Sequence, residues 1–299
     1  MSDQIHTRLK KVRGLAQASL DLIEQMETIV AECAPITGRG VGYKLFSLGL
    51  IPSMSTNDMQ RVYRLLKIAR EQGDIAWEDI VDETRDLERK AQWDNPEDFL
   101  HSVGRQYRRD LWQTQPCIVE VWSEKGTVRG VLAPILDKYG VGFRVMHGFA
   151  SATAVYDAAQ EGDEGQPLVA LYVGDYDPSG MFMSEEDLPT RLDQYGGEHV
   201  EFERVALTRI DTIGLQSFPA ADKGPNKKGK GGDKRYKWFV ERFGHECWEL
   251  DAMDPNDLRE RVEAAILANL DGDEWHRVSA LNDAEQDSLR TFFNAWSAS

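Results

Sequence analysis

Apolar residues early in the chain recur every three or four positions, which is the spacing of one helix face. Over residues 5–32 the stripe is Leu15, Leu22, Ile23, Met26, Ile29 and Val30, and the start of this predicted helix is basic (Arg8, Lys10, Lys11, Arg13). After Pro35 comes a short segment, GRGVGYKLFSLGLIP, bounded by glycines and stopped by Pro52. The stretch STNDMQRVYRLLKIAREQGD then supplies polar N-cap residues, a helix and a stop at Gly73. Val62, Leu65, Leu66 and Ala69 form its apolar stripe, while Arg61, Arg64, Lys67 and Arg70 recur every three residues on other faces.

The pattern changes from residue 116. PCIVEVWSE, VGFRVMHG, PLVALYVGDYDPSG and HVEFERVALT read as strands, separated by the helical stretches GTVRGVLAPILDKYG, SATAVYDAAQ and the one around SEEDLPTRLDQYG. Strands alternating with helices of this length predict a parallel sheet covered on both faces. A long Gly/Lys loop, ADKGPNKKGKGGDK, and two more helices, RYKWFVERFG and NDLRERVEAAILANLD, complete the pattern. The chain therefore divides near residue 113. The first part, 1–113, has two helices followed by DIAWEDIVDETR and fits a winged helix-turn-helix with the basic helix as recognition element. An amphipathic helix with a solvated basic face is the plainer alternative. The second part, 114–299, is an α/β unit.

Composition narrows the classes. The length, 299 residues, suits two domains. Three cysteines (Cys33, Cys117, Cys247) lie far apart without metal-type spacing, and the six histidines show no pairing suited to zinc. No apolar run approaches a membrane span, and the polar start lacks a signal peptide's apolar core, so a cytoplasmic protein is expected. The charge argues against nucleic acid: 35 Lys and Arg against 51 Asp and Glu leave −16. Local concentrations of cations overrule that number. Residues 222–237 hold six lysines and one arginine against two aspartates. Lys227, Lys228 and Lys230 in this loop, with Arg61, Arg64, Lys67 and Arg70, are the candidate contacts to a phosphate backbone. A purely solubilising loop is the other reading.

Ligands of open parallel sheets bind at the carboxyl ends of the strands. Glu124 closes the first strand, and Asp175 and Asp177 close the third, projecting to the same side until the chain turns at Pro178 and Gly180. Three hard carboxylates at one edge suit Mg²⁺. Solvated turn residues are the bland alternative for any one of them.

These motifs carry a family resemblance. Glu124–Thr127 (E-K-G-T) and Asp175–Gly180 (D-Y-D-P-S-G) resemble the Toprim domain of topoisomerase VI A subunits and of the meiotic double-strand-break protein. Upstream, Arg39-Gly40-Val41-Gly42-Tyr43 is similar to that family's catalytic segment, with Tyr43 on the nucleophile position. The resemblance covers roughly residues 30–270 and implies a winged-helix (CAP-like) domain followed by a Toprim (Rossmann-like parallel sheet) domain. It implies Mg²⁺, or Mn²⁺ in its place, held by Glu124, Asp175 and Asp177. It also implies double-stranded DNA as partner, a homodimer in which the tyrosine of one protomer meets the metal site of the other, and an ATPase partner subunit.

The family's aspartate after the arginine is Gly40 here, and its first tyrosine is Gly42. Those glycines allow either a close approach of the DNA backbone or a decayed catalytic pattern. The chain is more like the small stand-alone A-like proteins of viruses and mobile elements, and like the Toprim nuclease subunits of plasmid-defence systems, in which water replaces tyrosine. The expected roles are Tyr43 as nucleophile, Arg39 as the cation assisting it and stabilising phosphorane charge, Lys125 as a phosphate contact and Glu124 as a proton shuttle. Each has a bland counterpart: a core tyrosine, a surface lysine, a structural arginine. Asp82 with Arg85 reads as a structural ion pair, and His147 as a turn residue. Three functions remain open: tyrosine transesterification, hydrolytic DNA cleavage, and a non-catalytic DNA-binding adaptor.

Overall fold

The computed structural model describes residues 15–81, 92–146, 152–163, 165–225 and 231–297. The expectations at Asp82, Arg85, His147, Lys227, Lys228 and Lys230 lie outside the described residues.

Helix α1 spans Gln17–Cys33 and leads through β1 (Ile36–Thr37) into α2 (Gly38–Ser47) and α3 (Thr56–Gln72). The caps of α3 are those the polar pattern predicts. Ser55 accepts from the Asp58 amide, and Gly73 takes φ +77° at the C-terminus, where a β-carbon would be strained. Ile23, Met26, Val41, Leu45, Val62 and Leu65 are fully buried among these helices and form a separate small core. Strand β2 (Ile80–Val81) pairs with β1 in parallel. Helix α4 (Pro96–Gln106), capped by Asn95, is an element the apolar pattern did not reveal.

The second unit alternates as expected: β3 (Ile118–Ser123), α5 (Thr127–Tyr139), β4 (Gly142–Val145), α6 (Ala152–Ala159), β5 (Leu168–Val173). Then follow α7 (Pro178–Phe182), a π-turn (Met183–Asp187), α8 (Leu188–Gln194) and β6 (Val200–Ala206). The four strands form one parallel sheet in the order β4-β3-β5-β6. Period two explains how its faces are covered. Val119, Val121, Val169 and Leu171 pack toward α5, while Trp122, Ala170 and Tyr172 pack toward α6 and α8. This α/β architecture agrees with the expected class.

The C-terminal part adds a two-stranded antiparallel pair, β7 (Phe218–Pro219) with β8 (Glu246–Cys247), around α9 (Tyr236–Phe243). Helix α10 (Pro255–Ala268) and a 26-residue helix, α11 (Gly272–Ser297), follow. Helix α11 had no counterpart in the sequence reading. Tyr107 and Arg109 both bond Glu285 on it, and so tie it to the end of α4. The two units are stapled by Arg259, which is buried. Its guanidinium donates to the carbonyls of Val131 (2.9 Å), Cys33 (2.9 Å) and Pro35 (2.6 Å), and to Asn256 Oδ1 (2.7 Å). No helix among the described residues is long and apolar enough to cross a membrane.

Candidate functional site

The strand order reverses between β3 and β5. The chain leaves β3 to one side to form β4, then returns past β3 to form β5 and β6. A crevice opens at the carboxyl ends of the strands at such a switch point. Glu124 follows β3 and Asp175 follows β5, so the predicted carboxylates flank this crevice.

The D-Y-D-P-S-G turn is built by three local devices. Asp177 caps α7, accepting from the Gly180 amide at 2.8 Å. A β-carbon at Gly180 would stand 2.3 Å from the Asp175 carbonyl oxygen, so only glycine fits there. Arg204, on β6, donates to the carbonyls of Gly174 (3.0 Å), Asp175 (2.5 Å), Gly180 (3.1 Å) and Leu207 (2.8 Å), and to Ser184 Oγ (2.6 Å). A planar guanidinium satisfies several carbonyls at once, which a lysine could not.

A fourth device is long-range. Tyr176 and Trp248 exchange backbone hydrogen bonds (2.9 and 3.0 Å), which lays residues 248–251 beside the D-x-D turn. The Leu250 amide then donates to Asp175 Oδ1 at 2.8 Å. Two carboxylates enter that the sequence reading missed, Glu249 and Asp251. Their alternation in E-L-D was the available signal, but without a neighbouring strand motif it did not stand out.

The cations are arranged around these acids. Lys125 Nζ lies 2.9 Å from Asp175 Oδ1 and 3.4 Å from Asp251 Oδ2. Burial lowers its pKa, but the two aspartates outweigh that and hold it charged. Lys223 Nζ lies 3.0 Å from Asp177 Oδ2. The sequence counted Lys223 in the basic loop without singling it out. The Glu124 carboxyl is pushed above its ordinary range by burial and by the charges of Asp175 and Asp177, against the pull of Lys125 and Lys223. In kind, these carboxylates suit a hard cation. As arranged, two ammonium groups stand against the aspartates, and among the described residues no three acidic, histidine or cysteine side chains form a group that could hold a metal ion. The donor types are those of a Mg²⁺ site, but Asp175 and Asp177, paired with lysines and backbone amides, are not arranged as a metal-holding group.

Helix α2 docks on the same segment. Thr37 donates to Asp251 Oδ1 (2.5 Å), Arg39 makes a two-pronged ion pair with Glu249, and Lys44 pairs with Asp254. Within one chain, Tyr43 thus comes to lie beside the edge that carries the acids. Tyr43 is only 5% exposed and borders a cavity of about 420 Å³ with Arg39, Met54, Phe218, Asp222 and Glu249. Arg39 sits 5.7 Å from its ring centroid. The expected assistance from Arg39 is outweighed: burial and Glu249 push the phenol up to about 12, although Arg39 pulls it down. The two glycines have a packing reason. A β-carbon at Gly40 would meet Ile36 Cγ1 at 2.9 Å, and one at Gly42 would meet Met59 Sδ at 2.5 Å. They let α2 pack closely on its neighbours, so neither DNA approach nor a decayed motif is needed to explain them.

In comparisons with known proteins, no family model matches the chain, and no curated protein and no solved structure is similar to it. The site therefore stands on its geometry.

The predicted recognition residues divide. Arg64 and Lys67 are exposed on α3, and Arg61 is half-buried. Lys67 lies 3.6 Å from Glu71. Arg70 donates to the Trp77 carbonyl (3.0 Å) and stacks on the Trp77 ring (4.4 Å), which gives it a structural task.

Proposed function

We propose that this chain is a Mg²⁺-dependent DNA-cleaving protein resembling the topoisomerase VI A subunit, with a winged-helix-like unit before a Toprim-like sheet. The observation that supports this most is that the helix carrying Tyr43 docks, through Thr37 and Arg39, on the Glu249–Asp251 segment, whose Leu250 amide bonds Asp175 at the end of β5. In this reading Glu124, Asp175 and Asp177 would hold the ion, whose chemistry is neutralisation of charge on the transferring phosphate. Tyr43 Oη attacks the phosphorus to form a 5′-phosphotyrosyl link as the bond to the 3′ oxygen breaks, and that oxygen leaves as a 3′-hydroxyl, taking up a proton equivalent to the one the phenol gives up. Arg39 and Lys125 orient the phosphate oxygens, and Glu124 takes up or returns the proton. Arg61, Arg64, Lys67 and the lysines at 227, 228 and 230 hold the duplex, and Arg70, fixed on Trp77, supports that face from beneath. A homodimer across the DNA and an ATPase partner belong to the same reading.

A second reading keeps the carboxylates and replaces Tyr43 by water. It is favoured by the phenol's environment, since burial and Glu249 disfavour its ionisation.

The test is direct. Supercoiled plasmid is incubated with the protein and Mg²⁺ or Mn²⁺, quenched with detergent and examined for covalently attached protein. An adduct that disappears in Tyr43→Phe supports transesterification. Undiminished cleavage by Tyr43→Phe supports hydrolysis. Binding without cleavage under either metal would leave a DNA-binding adaptor.

A further inference from the structure

The cavity that Tyr43 borders is lined from both units. Its volume of about 420 Å³ lies inside the range of small-ligand sites, and it opens where the helical unit meets the sheet unit. Phe46 reaches it from α2 and rests on the small helical core, while Phe218 reaches it from β7 and rests on the core of the sheet unit. Both rings are half-buried, and Met54 adds a further apolar wall. Rings anchored behind and open in front form a stacking surface for another flat ring.

The polar part of the lining is selective. Arg39 is committed to Glu249 in its two-pronged pair and lies over the Tyr43 ring. Gln216 Nε2 donates to the Ser217 carbonyl at 3.0 Å, and Ser53 Oγ donates to Asp58. With those donors spent, the lining offers acceptors, the Asp222 carboxylate and Gln216 Oε1. One arginine against two carboxylates, Glu249 and Asp222, leaves the lining at −1. Charge therefore disfavours a phosphate inside the cavity and favours a ligand that brings N–H donors.

We propose that this cavity binds a nucleobase carrying an exocyclic amino group. The ring lies against the apolar walls and the amine donates to Asp222. The base comes from a free nucleoside or from an unpaired position of a nucleic-acid strand, since the same contacts recognise both. Only the second source ties the cavity to the cleavage reading, because it seats the strand beside Tyr43. Binding is non-covalent.

Adenosine and cytidine are titrated into the protein by calorimetry, beside inosine and uridine, which carry a carbonyl oxygen in place of the amino group. None of the four bears a phosphate, so basic surface residues do not contribute. The amino-bearing pair should bind about tenfold more tightly than the other, the worth of a hydrogen bond to a charged acceptor. Phe218→Ala should weaken adenosine about tenfold through lost stacking. Asp222→Asn, a change at constant size on an exposed residue, should erase most of the preference for adenosine over inosine. If neither adenosine nor cytidine binds at about millimolar concentration, or if both variants bind adenosine as the parent does, the assignment is overturned. Equal affinity of the parent for adenosine and inosine overturns the recognition of the amine. A labelled single strand of deoxyadenosines, followed by anisotropy, separates the sources. Its displacement by adenosine assigns the cavity to a base within nucleic acid; adenosine binding that leaves the strand's affinity unchanged assigns it to the free nucleoside. Plasmid cleavage without nucleoside binding sinks the cavity assignment and leaves the cleavage reading standing, and nucleoside binding without cleavage does the reverse.

Discussion

Arg39 and Glu249, 210 positions apart, meet in a two-pronged ion pair that holds the tyrosine-bearing helix against the acidic edge of the sheet. The pair has a measurable consequence for both partners. A double-mutant cycle with Arg39→Met and Glu249→Gln should give a coupling of about 1 kcal/mol, discounted for the exposed arginine. Glu249→Gln alone removes a negative neighbour of Tyr43 and should lower the phenol from its value of about 12. Denaturant unfolding measures the first effect, and ultraviolet titration against Tyr43→Phe measures the second.

Asp254 joins Lys44 to the helix that follows it. It pairs with Lys44 and caps α10, accepting from the Asn256 amide. Burial raises its pKa, but these partners outweigh it and hold the carboxyl below the ordinary aspartate value. A depressed carboxyl adds stability that is fully present above the ordinary value and is lost as pH falls through the folded value. Asp254→Ala should cost about 1–2 kcal/mol at neutral pH, and less at acid pH, where the parent has lost the same contribution. Chemical denaturation at several pH values checks this.

Gly180 has no room for a side chain, since the nearest atom to a new β-carbon is the Asp175 backbone. Gly180→Ala should destabilise the protein by roughly 1–3 kcal/mol and move both aspartates of the turn. Weaker Mn²⁺ binding should accompany the lower Tm. Unchanged stability would mean that the turn relaxes freely.

Arg204 donates to four carbonyls and one hydroxyl around the same turn. Arg204→Met leaves those acceptors without a donor and should cost about 3 kcal/mol or more. Arg204→Lys should recover only part, because an ammonium cannot span the same acceptors. Thermal unfolding of the two variants distinguishes the geometric role from mere charge.

Asp177 illustrates how the tertiary contacts alter the choice of mutation. A carboxylate supported by an ion alone could be replaced by alanine without cost to the fold. Its cap on Gly180 and its pair with Lys223 mean that alanine also removes structural bonds. Asparagine is the better test, because it keeps an oxygen for the cap while removing the charge.

Local order was legible in the sequence because its causes are local. Apolar, β-branched runs marked β3 and β5, alternation marked β6, helical spacing marked α1, α3, α5 and α10, and Ser55 with Gly73 marked the ends of α3. The positions of Glu124, Asp175 and Asp177 at strand ends followed from the same pattern. Helices α4 and α11 escaped because their faces pair with each other, at Tyr107, Arg109 and Glu285, rather than with a neighbouring strand. What only the tertiary structure decided is who stands beside whom at the site. Glu249 and Asp251 reach Asp175 because Tyr176 and Trp248 pair their backbones, and Arg39 reaches Glu249 because Arg259 staples the two units. Lys223 reaches Asp177 because the chain around α9 folds back over the edge of the sheet. Each of these contacts joins segments far apart in the chain, and no periodicity within a segment encodes a partner outside it.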